Sequence, residues 1–387
     1  MHTSTMRRSA RAGLALVTSA FLLASCQNPD SRPEEETSTA APESSAPHSA
    51  TSSTSATTEE TTETTAAEHE GPRATAEGHV VVLSTGGTIA STHDKKGAVV
   101  PTVTGSKLVE PLSGTFDKDK LTLEVKDIAK LDSSAMTLDD TDTIIEAVNK
   151  ELQRDDVDGV VVTHGTDSME ETAIAVDTFQ DSDKPVALTG AMRPFDDPDP
   201  DGPENLALAV KTVTDPSNKG RGTFIAFANH VIPARGAFKS DTAKADGFAN
   251  NNGKKQPQRP KALKHQQLGN TRVDIIAAYP GAPADLIQRS LDSGAEGIVI
   301  EGMGAGNIGD ELAQAAKAAA KKVPVVLTTR VDHGPVEGIY GGAGGGATLA
   351  DAGVISSGTL RAPQARMLLA AAITTGTDAE DLFAHAE

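Results

Sequence analysis

Short runs of β-branched apolar residues recur along this chain with amphipathic segments between them, and this alternation restricts the fold more than any other feature. The runs occupy 80–84, 121–125, 159–163, 185–189, 223–228, 273–278, 297–301 and 323–328. A strand buried on both faces reads as such a continuous run, and a helix between two of them returns the chain for parallel pairing. The expectation is an α/β protein of two domains with mostly parallel sheets, the larger N-terminal and the smaller C-terminal. One helix begins at Thr137, with Asp139 and Asp140 in its first turn and Ile144, Ile145, Val148 and Leu152 on one face. Others start near Ser168, near Pro203, at Ala284 and near Gly309, the last an Ala-rich stretch ending in Lys321-Lys322.

The alternation begins only after residue 78. Residues 1–25 read as a lipoprotein export signal, with Arg7, Arg8 and Arg11 ahead of the apolar stretch Gly13–Ala24. That stretch is shorter than the ~20 residues a membrane-spanning helix needs. It ends in Leu23-Ala24-Ser25-Cys26, which resembles the lipobox of bacterial lipoproteins, and Cys26 is the chain's single cysteine. The expectation is export, with lipid on Cys26 as the only membrane anchor and the folded body outside the cytoplasm. The other reading is an ordinary cleaved signal with an incidental cysteine. Residues 26–78 are Ser, Thr, Pro, Ala and Glu with almost no large apolar side chain, a composition that cannot offset chain entropy and implies a disordered tether. From Asn28 to Gly78 eleven acids face Arg32 and Arg73, so the tether supplies nine of the net charge of −19. A body this acidic is unsuited to nucleic acid, which needs clustered basic residues. A lone cysteine excludes an intrachain disulfide.

Within the folded part, 79–249 forms the N-terminal domain and 272–387 the C-terminal one. The polar, aperiodic stretch 250–271, with Asn250-Asn251-Asn252-Gly253 and Lys254-Lys255-Gln256-Pro257, is the linker. The glycine cluster Gly341–Gly346 is a loop after the 323–328 strand. No internal repeat of fixed period is visible.

Two strand ends carry the chemistry. Val80-Val81-Val82-Leu83-Ser84 leads into Thr85-Gly86-Gly87-Thr88, and Gly159-Val160-Val161-Val162-Thr163 into His164-Gly165-Thr166-Asp167-Ser168. Ligands of parallel sheets bind outside the carboxyl ends of the strands, and glycines let the backbone approach a small substrate. Neither segment is a G-x-G-x-x-G fingerprint or a P-loop. A structural alternative makes Thr166 or Asp167 the N-cap of the 168–180 helix, with Glu170 and Glu171 favourable in its first turn. His164 reads as structural rather than as a ligand or base, and the scattered histidines form no H-E-x-x-H pair that would hold zinc. A tethered amino-acid-binding lipoprotein without catalysis is the alternative function. The two strand-end threonines separate the readings, since a binder has no need of nucleophiles.

These residues carry a family resemblance. Thr85-Gly86-Gly87-Thr88-Ile89-Ala90 and Thr163-His164-Gly165-Thr166-Asp167-Ser168-Met169-Glu170-Glu171-Thr172-Ala173 resemble the two signatures of the bacterial L-asparaginase/glutaminase family, in its exported type II-like form. The likeness runs on through Leu131-Asp132-Ser133-Ser134, Leu188–Pro194, Asp201–Leu206, Gly302–Asn307, Ser357–Leu360 and Pro363–Arg366, and so covers the folded part. It implies an amidohydrolase that converts L-asparagine to L-aspartate and ammonia, without metal or organic cofactor. By position, Thr88 matches the primary nucleophile. Thr166, Asp167 and Lys239 match the second threonine with its acid and lysine. Ser133 matches the group that receives the substrate α-carboxylate, and Asp167 the one that receives its α-ammonium. The resemblance further implies a homotetramer of close dimers, with each pocket completed by the C-terminal domain of a partner subunit.

The physical chemistry agrees with those roles. A threonine hydroxyl needs an adjacent base or strong preorganisation to attack an amide, and the developing oxyanion needs aimed donors. Lys239 acts as a base only if neutral, which a neighbouring Asp167 carboxylate opposes; otherwise it orients Thr166 and Asp167. Glutamine is one methylene longer than asparagine, and a methylene gives only ~1–3 kcal/mol of discrimination, so a minor glutaminase activity is expected. One feature departs from the family. Many members carry a lid tyrosine after the first signature, but Ser91–Thr104 has none, and the only tyrosines are Tyr279 and Tyr340. Tyr340 is therefore the candidate substitute, reaching the pocket from its own loop or from a neighbouring subunit. The alternative is a loop tyrosine with no catalytic part.

Overall fold

The computed structural model describes residues 75–252 and 259–384. The export signal, Cys26 and the tether up to residue 74 lie outside the described residues. The first domain contains β1 (Gly78–Gly86), β2 (Ser91–His93), β3 (Val99–Pro101), α1 (Gly105–Val109), β4 (Leu121–Leu131), α2 (Leu138–Leu152), β5 (Gly159–Thr163), α3 (Met169–Phe179), β6 (Val186–Thr189), α4 (Gly202–Thr214), β7 (Thr223–Phe227), β8 (His230–Pro233), β9 (Ala237–Lys239) and β10 (Phe248–Asn250). The second contains β11 (Val273–Ala277), α5 (Asp285–Asp292), β12 (Gly297–Gly302), α6 (Asp310–Ala319), β13 (Val325–Thr329), α7 (Gly346–Ala350), β14 (Ile355–Ser356), α8 (Ala362–Thr375) and α9 (Ala379–Phe383).

All eight expected strands form. The larger sheet runs β4-β1-β5-β6-β7-β8, parallel except for the antiparallel pairing of β8 on β7. The smaller sheet, β11-β12-β13-β14, is parallel throughout. Val80, Val81, Val82 and Leu83 have no exposed surface, as a central strand covered by helices on both faces requires. Among the described residues no helix is long and apolar enough to cross a membrane.

Thr137 caps α2 through a capping box: its Oγ1 accepts the Asp140 N–H while the Asp140 carboxylate accepts the Thr137 N–H. The cap of α3 differs from the expectation. Ser168 occupies that position, not Thr166 or Asp167, and it makes no side-chain cap bond. Its hydroxyl donates instead to the Ser133 carbonyl at 2.7 Å, so it ties two loops together rather than closing a helix end.

The elements without a sequence signal are the short ones and α8. Three-residue strands such as β2, β3, β9 and β10 are too brief for alternation to register. α8 is silent for a different reason. Nearly all of Ala362–Ala372 is buried, so the helix has no polar stripe and no amphipathic pattern to read. It packs on α3 of the first domain and on β11, β12 and β13 of the second. One hydrophobic core consequently runs from Val81 and Leu83 through Ile174 and Leu368 to Val299 and Val326. Of the polar stretch, Asn250 closes β10 and both Asn250 and Asn252 donate to the Arg235 carbonyl, and the part from Arg259 onward is irregular but tied down. Arg259 pairs with Asp177, the Leu263 N–H donates to the Thr178 carbonyl, and Asp142 holds both the His265 ring and the Gly269 N–H.

Candidate active site

The site follows from the adjacency of β1 and β5. Their parallel register pairs Val80 with Gly159 and Ser84 with Thr163, so both chains leave the sheet side by side at its carboxyl edge. The Thr85 hydroxyl donates to the Thr163 carbonyl at 2.7 Å and locks the two exits together. Beyond them the glycines meet. Gly87 has φ 79° and ψ 178°, a region essentially reserved for glycine. A Cβ there would lie 2.4 Å from Gly165 N and 2.6 Å from Gly165 Cα. A Cβ on Gly165 would lie 2.3 Å from Ser133 Oγ. Three loops can converge here only because two of their residues have no side chain.

The convergence encloses a cavity of about 230 Å³ lined by Thr88, Ser133, Thr166 and Asp167, with Ser91 and the β3 residues Val99 and Pro101 on the lid side. Thr88 opens a single 3₁₀ turn, Thr88–Ala90, that starts directly from this glycine. Ser133 arrives from the end of β4. Its hydroxyl accepts the Asp167 N–H at 3.3 Å, which leaves its own proton free to donate into the cavity. Thr166 is buried, whereas the Asp167 side chain is more than half exposed.

Lys239 enters from β9. Its Nζ donates to Thr166 Oγ1 at 2.8 Å and to Asp167 Oδ1 at 2.7 Å. One cation thus fixes both groups, and a Thr166 hydroxyl that accepts from the lysine keeps its proton available for donation. Thr88, Ser133, Thr166, Asp167 and Lys239 are brought together. Tyr340 is not. It sits half exposed on the loop before α7 and does not line this cavity within one chain. The lid wall here is apolar, with Val99 and Pro101 and no hydroxyl on β3.

His164 is structural. It is fully buried, its Nδ1 lies 2.7 Å from the Gly165 carbonyl, and its Nε2 lies 3.0 Å from Thr172 Oγ1. Burial pushes its pKa down to about 4, so the ring is neutral, and the carbonyl contact assigns the N–H to Nδ1. Glu170, one turn from Thr166, is nearly buried, and burial pushes its carboxyl up to about 7. Sequence reasoning passed over Glu170 as a favourable first-turn acid. It also passed over Ser91, Val99 and Pro101, whose placement depends on how a short hairpin folds back.

Fold and site together define a class: two-domain α/β proteins with a small polar pocket at the carboxyl ends of adjacent parallel strands, lined by two threonines. Residues 79–261 match the family model for the N-terminal domain of asparaginase, and residues 272–384 match that of the glutaminase/asparaginase C-terminal domain. The chain belongs to the asparaginase family. Over 79% of this chain and 85% of the relative it is 32% identical to L-asparaginase 2 of Bacillus subtilis. It is 33% identical to L-asparaginase 2 of Escherichia coli, over 80% of this chain and 92% of the relative. Among solved structures, a probable cytoplasmic L-asparaginase from Campylobacter jejuni superposes with a TM-score of 0.67 at 28% identity, covering 80% of this chain and 99% of that one.

Proposed function

We propose that this protein hydrolyses L-asparagine to L-aspartate and ammonia, with Thr88 as nucleophile and L-glutamine as a slower substrate. The single observation that carries the reading is the convergence of Thr88, Ser133, Thr166 and Asp167 on one cavity of about 230 Å³, which has room for a small amino acid. The Asp167 carboxylate faces the substrate α-ammonium, and the Ser133 hydroxyl donates to its α-carboxylate. That pair selects an α-amino acid by charge pattern and leaves the side-chain amide to reach Thr88. Attack by Thr88 Oγ1 on the amide carbon forms the ester bond and breaks the C–N bond. The nitrogen leaves as ammonia, carrying the threonine proton. Water then cleaves the ester, releasing L-aspartate and restoring the hydroxyl. Thr166, held by Lys239, donates its proton where charge develops, and N–H dipoles at the strand-end turns support the oxyanion. Lys239 serves this scheme by orienting Thr166 and Asp167.

A pure amino-acid binder would use the Ser133 and Asp167 anchors but has no use for paired threonines, and the family match does not favour it. The wider reading has the body exported, anchored by lipid on Cys26, and assembled as a tetramer in which a partner subunit closes each pocket. The exposed Val331, Ile339 and Tyr340 around the last loops support such a covered surface. Ammonia release from L-asparagine and L-glutamine by the wild type and by Thr88→Ala tests the chemistry. Release from asparagine that Thr88→Ala abolishes is expected; equal release by the variant refutes the nucleophile.

A further inference from the structure

Lys239 must hold two groups at once, yet its own strand gives it little support. β9 has three residues and pairs only with the three-residue β10, in a two-stranded ribbon outside the main sheet. Ribbons of that size are marginal by themselves. The position of Lys239 has to be fixed from elsewhere.

Two buried side chains supply the fixing. The Lys239 N–H donates to Glu170 Oε2, on the first turn of α3, at 2.5 Å. Glu170 is 8% exposed and makes this contact from the helix that follows Thr166 and Asp167, the residues its lysine partner holds. The second side chain is Gln364, on the first turn of α8 in the other domain and 1% exposed. Its Nε2 donates to the Glu170 carbonyl at 3.1 Å and to the Ala234 carbonyl at 2.7 Å, while its Oε1 accepts the Gly236 N–H at 2.9 Å. One amide therefore ties α3 to the corner from which β9 starts.

We infer that Glu170 is a positioning residue for Lys239, and that Gln364 of the second domain holds the 234–236 corner on which that position depends. The chain Gln364–Glu170–Lys239–Thr166 then links docking of the two domains to the geometry of the active site. A structural role alone does not account for a carboxyl group here. An apolar side chain would fill the space without burying a charge, and burying a carboxylate is costly. The feature a carboxyl adds is an acceptor aimed at the Lys239 N–H. With burial pushing this carboxyl up to about 7, with Glu171 acting in the same direction and Lys239 opposing, it accepts that N–H in either protonation form.

The test uses Glu170→Met, which removes the acceptor and relieves the buried charge, and Glu170→Gln, which keeps an acceptor oxygen of the same reach. Hydrogen exchange of the 234–241 segment reads the link without substrate. Glu170→Met should speed exchange at Lys239 about tenfold or more, as expected for loss of a hydrogen bond to a charged group. Glu170→Gln should restore near-wild-type protection, and Gln364→Met should speed exchange over 234–236. The activity arm rests on the asparagine-hydrolysis reading. There Glu170→Met should lower kcat/KM about tenfold in the wild type and add nothing in a Lys239→Met background. Unchanged exchange in Glu170→Met, or an equal activity loss in both backgrounds, overturns the inference. A wild type inactive on both amides sinks the proposed function alone, because the exchange arm still decides the positioning role.

Discussion

Gly87→Ala is the sharpest single perturbation of this site, and its cost can be worked from the coordinates. The residue has φ 79° and ψ 178°, where a residue with a Cβ pays about 1–3 kcal/mol. The new methyl would also lie 2.4 Å, 2.6 Å and 2.7 Å from Gly165 N, Gly165 Cα and the His164 carbonyl carbon. All three are backbone atoms and cannot rotate away, so the two strand ends must part by about 1 Å; overpacking of this kind costs about 1–3 kcal/mol. The expected loss of stability is about 2–6 kcal/mol by summing those two ranges. The catalytic loss follows from the displacement of Thr88 relative to Thr166, since a 1 Å misplacement costs ~10²-fold in rate. Gly376→Ala is the control. It has φ 66° at the end of α8 and nothing within 4 Å of a Cβ, so it pays only the left-handed strain of about 1–2 kcal/mol. Urea unfolding followed by far-UV circular dichroism measures the first quantity, because the chain has no tryptophan to report by fluorescence. Ammonia release measures the second. If Gly87→Ala kept kcat/KM within a few-fold of the wild type, the glycine-to-glycine approach would not be what assembles the site.

The remaining predictions concern pH and the lid. Burial raises Glu170 from 4.5 to about 7, so the native state holds a proton the unfolded chain has released; that stability is full below pH 4.5 and is lost as pH rises through 7. Burial lowers His164 from 6.5 to about 4, so its contribution is present above pH 6.5 and is lost as pH falls through 4. Each is worth about 3 kcal/mol, and between pH 4.5 and 6.5 the two slopes oppose. Glu170→Gln should unmask the histidine, making unfolding free energy climb with pH more steeply than in the wild type; parallel curves would rule this out. Tyr340→Phe tests whether a neighbouring subunit supplies the hydroxyl that β3 lacks. A fall in kcat of about a hundredfold is expected for a lost general acid–base partner at the low end of its usual contribution, and an unchanged rate removes the tyrosine from the mechanism.

Much of this protein was legible in sequence because the signals were local. A run such as Val80–Leu83, set between turn residues and followed by amphipathic segments, reads as a strand buried on both faces, and the Thr137 capping box needs only residues three apart. The Gly-rich exits after β1 and β5 likewise announce a ligand site at the carboxyl edge of a sheet. Where the sequence was silent, the information lay in another element. α8 carries no amphipathic stripe because both domains bury it, and Ser168 abandons helix capping for the Ser133 carbonyl, 35 residues away in sequence.

The sequence by itself determined the two-domain α/β architecture, the hydroxyl residues at two strand ends and the family. It could not say that Gly87 and Gly165 touch, that Lys239 bridges Thr166 and Asp167, or that Tyr340 stands away from the pocket of its own chain. Those depend on where β1, β5, β9 and α8 come to rest, and hence on side-chain volume and hydrogen-bond direction in three dimensions. The tertiary structure decided which hydroxyl faces which partner, because a distance of a few ångströms between loops 78 residues apart leaves no trace in either loop alone.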